Sequence, residues 1–142
     1  DATANDDEAL INACRRGQTD VALLLLTVPA VNPIARDQAP MRHVCANGDA
    51  RVLEVLLQDE RVDPSIREST PLREAAYQGH EDVVRVLIAH ASRGARNAVD
   101  LRVADNYPLR CARERGHTGI VRMLEAALGG DSSEQREEDA TL

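Results

Sequence analysis

The sequence predicts an all-α solenoid of four stacked helix pairs, and three observations predict it. Glycines recur at Gly17, Gly48, Gly79 and Gly116, spaced 31, 31 and 37 residues apart. Seven residues before each stands an apolar side chain (Leu10, Met41, Leu72, Leu109), and four after each a β-branched one (Val21, Val52, Val83, Ile120). A second landmark, Val31-Asn32-Pro33, Val62-Asp63-Pro64 and Val99-Asp100-Leu101, keeps the same spacings of 31 and 37. The register therefore does not rest on one residue type. Such periods mark stacked repeats, in which no unit buries its apolar stripe alone.

The composition agrees. The length of 142 residues suits one domain. There is no Phe, Trp or Lys, and Tyr77 and Tyr107 are the only aromatics, so a core must come from Leu, Val, Ile and Ala. Such cores suit helices packed closely. No run approaches the roughly 18 apolar residues of a membrane helix, so no membrane insertion is expected. The start, Asp1 to Glu8, is acidic where a signal peptide would be basic. Because the chain begins with Asp rather than Met, it is expected to be a fragment or trimmed form.

The first copy, Glu8 to Leu26, ends its first helix at Gly17 and continues with Val21-Ala22-Leu23-Leu24-Leu25-Leu26. That run is apolar all round. Leu23 stands where the other copies carry Glu54, Arg85 and Arg122, so it is expected to be covered. The second copy runs from Ala39 to Leu57. In the third, Thr70-Pro71 opens a helix, with Thr70 suited to the N-cap and Pro71 to the first turn. Leu72, Ala75 and Ala76 form one stripe, and Gly79 stops the helix in the left-handed conformation. Glu81 and Asp82 favour the positive end of the next helix dipole, whose buried face is Val83, Val84, Val86, Leu87 and Ile88. The six extra residues before the fourth copy fall within Ala89–Ala98, read as a loop from His90 to Asn97 whose Arg93, Gly94 and Arg96 could meet an anion. In the fourth copy Arg113 replaces a small residue and Glu125 a core Leu, the polar substitutions of a C-terminal cap. The expected organisation is a leader at 1–4, repeats at 5–35, 36–66, 67–103 and 104–128, and an acidic disordered tail at 129–142.

The third copy, Thr70-Pro71-Leu72-Arg73-Glu74-Ala75-Ala76-Tyr77-Gln78-Gly79-His80-Glu81-Asp82-Val83-Val84-Arg85-Val86-Leu87-Ile88, resembles the ankyrin repeat signature. The other three match it more loosely, and the resemblance covers about residues 5–128. It departs from the pattern in its 31-residue period and in Arg42, Arg73 and Arg110, which stand where the family has His. Each Arg follows an acid by five residues (Asp37, Glu68, Asp105), so an acid–Arg pair is expected to bridge the turn to the helix.

Little in the sequence suggests chemistry. Cys14, Cys45 and Cys111 lie in apolar helical patterns outside metal-ligand spacing and read as buried thiols of a reducing, intracellular (cytoplasmic or nuclear) compartment. His80 and His117 match the family's structural Gly-His and are expected to bond at the helix start. No nucleophile has a His and acid arrangement, and no phosphate loop is present. No catalysis, cofactor or metal is expected. The net charge is −7, with −4 in residues 1–8 and −4 in 131–142, leaving +1 for the body. A nucleic-acid binder would show a basic body, so polyanion contact through surface Arg is the weaker alternative.

The resemblance implies a concave groove for a protein partner, lined by the residues before each Gly: Arg15, Arg16, Asn47, Tyr77, Gln78, Glu114 and Arg115. Asn12, His43 and Glu74 lean the same way, and Arg36, Gln38, Arg67, Ser69 and Asn106 complete the strip. Tyr77 is the sharpest candidate, since aromatic and Arg anchors dominate interface energies. A spacer or anchor in a longer chain is the alternative, and a monomer is expected.

Overall fold

The computed structural model describes residues 2–94 and 98–129. These form eight helices and no strand: α1 (Ala2–Arg15), α2 (Thr19–Leu25), α3 (Ala35–Asn47), α4 (Ala50–Leu56), α5 (Ile66–Gln78), α6 (Glu81–Ser92), α7 (Val103–Arg115) and α8 (Thr118–Ala127). Each odd helix packs on the even one after it, odd helices stack on odd and even on even. The result is a two-layer solenoid of four helix pairs. Residues 130–142, which include most of the sequence-assigned tail, lie outside the described residues, as do 95–97 of the insertion.

The core is one strip running through the stack. Leu10, Met41 and Leu72 are fully buried and Leu109 nearly so, one from each first helix. Val52, Val83, Ile120, Leu56, Leu87 and Leu124 supply the second layer, all at 0–1% exposure. Each full burial of such a side chain stabilises by about 1.5–3 kcal/mol. At the far end, Arg113 faces Glu125 at 3.8 Å, so the two polar substitutions of the fourth repeat meet each other.

Glycine closes the first helices as expected. Gly48 and Gly79 have φ of 84° and 86°, and a Cβ on either would stand 2.7 Å from the imidazole of His80 or His117. Both positions need glycine twice over, for backbone conformation and for space.

Three expectations are corrected here. Helix α6 runs to Ser92, so His90 to Ser92 are helical rather than loop, and His90 is buried. The insertion lengthens α6 to 12 residues against 7 in α2 and α4 because the alanines beside His90 continue the helical pattern. Second, Leu23 is only partly buried, and the open side chains of α2 are Val21 (47%) and Leu24 (69%). The equivalents of Val21 in the later repeats, Val52, Val83 and Ile120, are fully buried. Third, Thr70 does not accept at an N-cap: its hydroxyl donates to the carbonyl of Arg67 at 2.5 Å.

Candidate functional site

The turn strip is built by a proline and an arginine two residues apart. In α3, α5 and α7 three consecutive residues are left-handed: Arg36-Asp37-Gln38, Arg67-Glu68-Ser69 and Ala104-Asp105-Asn106, with φ between 49° and 63°. Each such non-glycine residue costs roughly 1–2 kcal/mol, so the turn persists only where something over-determines it. Pro40, Pro71 and Pro108 follow these turns. A helical N–H there would bond the carbonyl four residues back, but proline has none and its ring crowds that carbonyl. The freed carbonyls belong to Arg36, Arg67 and Ala104.

Arginine takes them. Arg42 Nη2 donates to Arg36 O at 3.1 Å and its Nε to Asp37 O at 2.9 Å. Arg73 repeats this on Arg67 O and Glu68 O, each at 3.1 Å. Arg110 repeats it on Ala104 O at 3.1 Å and Asp105 O at 2.8 Å. The expected acid–Arg pair is therefore corrected. The arginine binds the main-chain carbonyl of the acid, because a left-handed turn aims its carbonyls at the fork of donors. Asp37's carboxylate pairs instead with Arg67 of the next repeat at 2.5 Å, and Glu8 with Arg36. In α1, Ala9 and Ile11 stand where Pro and Arg stand elsewhere. No left-handed turn forms there, and the helix runs back to Ala2, through part of the expected leader.

Three residues assigned to the exposed strip point inward. Gln38 is 9% exposed and Ser69 1%. Gln38 accepts the N–H of Asp63 at 3.1 Å and donates to Arg61 O at 3.0 Å. Ser69 accepts the N–H of Asp100 at 2.8 Å, and Asp7 that of Asn32 at 2.7 Å. This register position meets the next turn with or without a left-handed turn, since Asp7 reaches Asn32 from the straight α1, and residue type does not announce it. Asn106, in the same register, has its Oδ1 buried.

The residues before each glycine are exposed, as the sequence places them: Arg15, Arg16, Asn47, Tyr77, Gln78, Glu114 and Arg115. Asn12, His43 and Glu74 are half-buried beside them. Several engage one another. Arg15 donates to Asn12 at 2.9 Å and Gln78 to Glu74 at 3.3 Å. Arg115 lies over the Tyr77 ring with its guanidinium carbon 4.0 Å from the centroid, a cation–π contact across neighbouring repeats. Asn47 has a structural task, donating to Cys14 O at 2.7 Å and Arg15 O at 3.0 Å.

His80 and His117 do what Asn47 does, one repeat on. Their Nε2 atoms reach Ala46 O at 2.8 Å and Tyr77 O at 3.2 Å. A carbonyl can only accept, so each Nε2 carries a proton. These histidines tie neighbouring repeats together and make no side-chain cap on their own helices, which corrects the expected partner.

Two clefts open between first helices. One of about 280 Å³ is lined by Thr70, Arg73, Glu74, Tyr77 and Tyr107. The other, about 210 Å³, is lined by Arg42, His43, Ala46, Arg67, Thr70, Pro71 and Glu74. A larger hollow of about 600 Å³, between the ends of α2 and α4, shares no residue with this strip. Burial, then Arg42 and Arg15, lowers the pKa of His43, which favours its neutral form. Burial, then Asp49, pushes the Cys14 thiol up to about 12, and burial alone raises Cys45, so neither is a nucleophile at neutral pH. Among the described residues, no group of three or more His, Cys, Asp or Glu could hold a metal ion, and no helix is long and apolar enough to cross a membrane.

Helix pairs stacked in two layers, each first helix closed by a left-handed glycine and tied to the next by an imidazole or amide, define a helical repeat protein. A family model described as ankyrin repeats in three copies matches residues 41–132. The chain belongs to the ankyrin repeat family. The matched span starts just after Pro40, takes in the turns at 67–69 and 104–106 and leaves out the first repeat. No curated protein matches the chain.

Proposed function

We propose that this chain is a protein-binding module whose first-helix and turn strip forms a groove for another protein, and that it acts by presentation rather than catalysis. Ankyrin repeats are generally protein–protein interaction modules. The observation that carries the reading for this chain is Tyr77. It stays 42% exposed in mid-stack, with its ring held by Arg115 beside the cleft between the third and fourth repeats. A pre-ordered aromatic loses little entropy on binding, and such anchors give about 2 kcal/mol or more each. Arg15, Arg16, His43 and Glu74 vary from repeat to repeat over a constant frame and supply specificity. The partner side is a protein, not nucleic acid, in a reducing intracellular compartment, and the module works as a monomer without cofactor.

The test is capture from the source cell's lysate with wild type beside the Tyr77→Ala, Arg16→Glu variant, both shown equally helical by circular dichroism. A protein held by wild type and lost from the variant supports the groove. Equal capture by both removes it. A flat dependence of capture on salt discards the weaker polyanion reading, since counterion release requires a slope.

A second reading is favoured by Val21 and Leu24. Their exposure continues the surface on which repeats stack, so the chain serves as one segment of a longer array. An added N-terminal repeat that raises the melting temperature supports it, and one that leaves the melting temperature unchanged removes it.

A further inference from the structure

The arginines that hold the three turns have donors left over. Arg42, Arg73 and Arg110 stand six residues before Gly48, Gly79 and Gly116, one in each of α3, α5 and α7. Arg42 and Arg73 are half-buried and Arg110 is exposed. Each commits Nε and Nη2 to the two carbonyls of its turn. The N–H donors on Nη1 remain, and among the described residues they meet no acceptor. A carbonyl is neutral, so the positive charge is left as well. Among the described residues no carboxylate pairs with any of the three, since Asp37 is taken by Arg67 and Glu8 by Arg36. A guanidinium already fixed by two bonds loses little freedom when it takes a further partner.

These arginines stand in line across the strip. Helix α3 packs on α5 and α5 on α7, and packed helices lie about 8–10 Å apart. A ligand that meets all three must present one anion per repeat at that interval. A polyproline II segment does so, because it rises about 9 Å per threefold turn and shows every third side chain on one face. A β-strand does not, because its side chains three apart face opposite sides. The clefts beside the arginines suit the residues between. Tyr77 and Tyr107, the only aromatics of the chain, line one cleft together with Arg73, and aromatic-lined grooves take the prolines of such a segment. Glu74 is the acid that lines both clefts. It repels a carboxylate placed between the arginines, and so selects against unbroken acidic runs and against nucleic acid.

We propose that the groove takes an acidic polyproline II segment of a protein partner, with a carboxylate at every third position on Arg42, Arg73 and Arg110 and proline at the tyrosine cleft. This rests on the groove reading given above and names its ligand. Each carboxylate accepts the N–H groups of one Nη1. Such pairs are charge-assisted but open to solvent, so one alone gives little and the segment needs all three. Once one pair has formed, the other two close within the same chain at high effective concentration. Spacing, and not charge alone, therefore decides the affinity.

The test is fluorescence anisotropy of labelled Glu-Pro-Pro-Glu-Pro-Pro-Glu-Pro-Pro with the full chain. Two controls run beside it: the same residues with the acids in one block, and the periodic peptide with Gln for Glu. The periodic peptide should bind saturably, and the controls at least about tenfold more weakly. The arginines also hold the turns, so they are read without being replaced. In nuclear magnetic resonance the side-chain Nε–H signals of Arg42, Arg73 and Arg110 should shift together as the periodic peptide is added. Tyr77→Ala, at an exposed position, should weaken binding about tenfold. No saturable binding overturns the proposal, and so do equal affinities for the three peptides, shifts that spare these arginines, or unchanged affinity in Tyr77→Ala. Equal binding of a deoxythymidine strand of the same charge overturns it as well. If lysate capture is lost from the Tyr77→Ala, Arg16→Glu variant while the periodic peptide does not bind, the groove stands and this ligand class falls.

Discussion

The first repeat and the three that follow share a core and differ at their turns. Leu10 is buried like Met41 and Leu72, and Gly17 is left-handed like Gly48 and Gly79. Yet α1 runs without a left-handed residue through the positions where α3, α5 and α7 each have three in succession. Two side chains separate the cases. Where Pro and Arg stand two apart, the carbonyl that proline cannot bond is bonded by arginine. Where Ala9 and Ile11 stand, the helix keeps its own carbonyls. The comparison teaches that the turn strip, and with it the edge of the candidate groove, is made by one proline and one arginine in each of the last three repeats rather than by the turn residues themselves.

The largest expected effect comes from glycine. Gly79→Ala must adopt a positive φ and also push its Cβ into His117, whereas Gly17→Ala meets nothing within 4 Å. Denaturant unfolding should show a loss of about 3 kcal/mol for Gly79→Ala and about 1 kcal/mol for Gly17→Ala. Equal losses would show that the imidazole yields freely and does not distinguish the repeats.

Next in size is the arginine. Arg73→Met should cost about 2 kcal/mol, since two carbonyls of a strained turn lose a charged donor. Arg73→Lys should recover little of it, because an ammonium is a single point where the guanidinium is a fork. Full recovery by lysine in thermal unfolding would mean that charge, not geometry, holds the turn.

A smaller effect lies in the long α6 of the third repeat. Burial, then Arg93, holds the pKa of His90 below its ordinary 6.5, and its Nδ1 is buried with no partner among the described residues. The unfolded chain therefore takes up this proton more readily than the folded one. The associated stability is present above pH about 6.5 and declines as the pH falls through that value toward the folded pKa. Melting temperatures between pH 7.5 and 5.5 should fall for wild type, through His43 as well as His90. They should fall less for His90→Leu, and parallel curves would place the dependence elsewhere.

The smallest effect is at the turn surface. Arg67 and Asp37 are 60% and 58% exposed, so Arg67→Ala should cost no more than about 1 kcal/mol, and less in 1 M salt. A larger, salt-insensitive loss would mean that this pair does more than decorate the strip.

The fold was readable because burial repeats. Leucines and β-branched residues at fixed offsets from four glycines can serve only stacked helices, and the structure bears this out. The exposed positions before each glycine were also readable, since they follow from helix geometry. The turn was not. Acid and arginine five apart suggest a pair of opposite charges, and only the backbone shows that the acid's carbonyl, not its carboxylate, is the acceptor. For the same reason Gln38 and Ser69 read as surface residues. Their inward direction belongs to a register position that Asp7 shares in the straight α1, and residue type alone does not announce it. Asn47 was misleading in another way: it takes the place of a histidine 33 residues later in the chain and so resembles a free groove amide.

The most direct measurement is a crystal structure of the chain in which the third repeat is given the first repeat's residues, Pro71→Ala with Arg73→Ile. The account predicts that residues 67–69 turn to negative φ and that α5 runs straight into its preceding turn, as α1 does. Three positive φ values retained at 67–69 would contradict it, and would show that the turn is held by the stack and not by the proline and arginine.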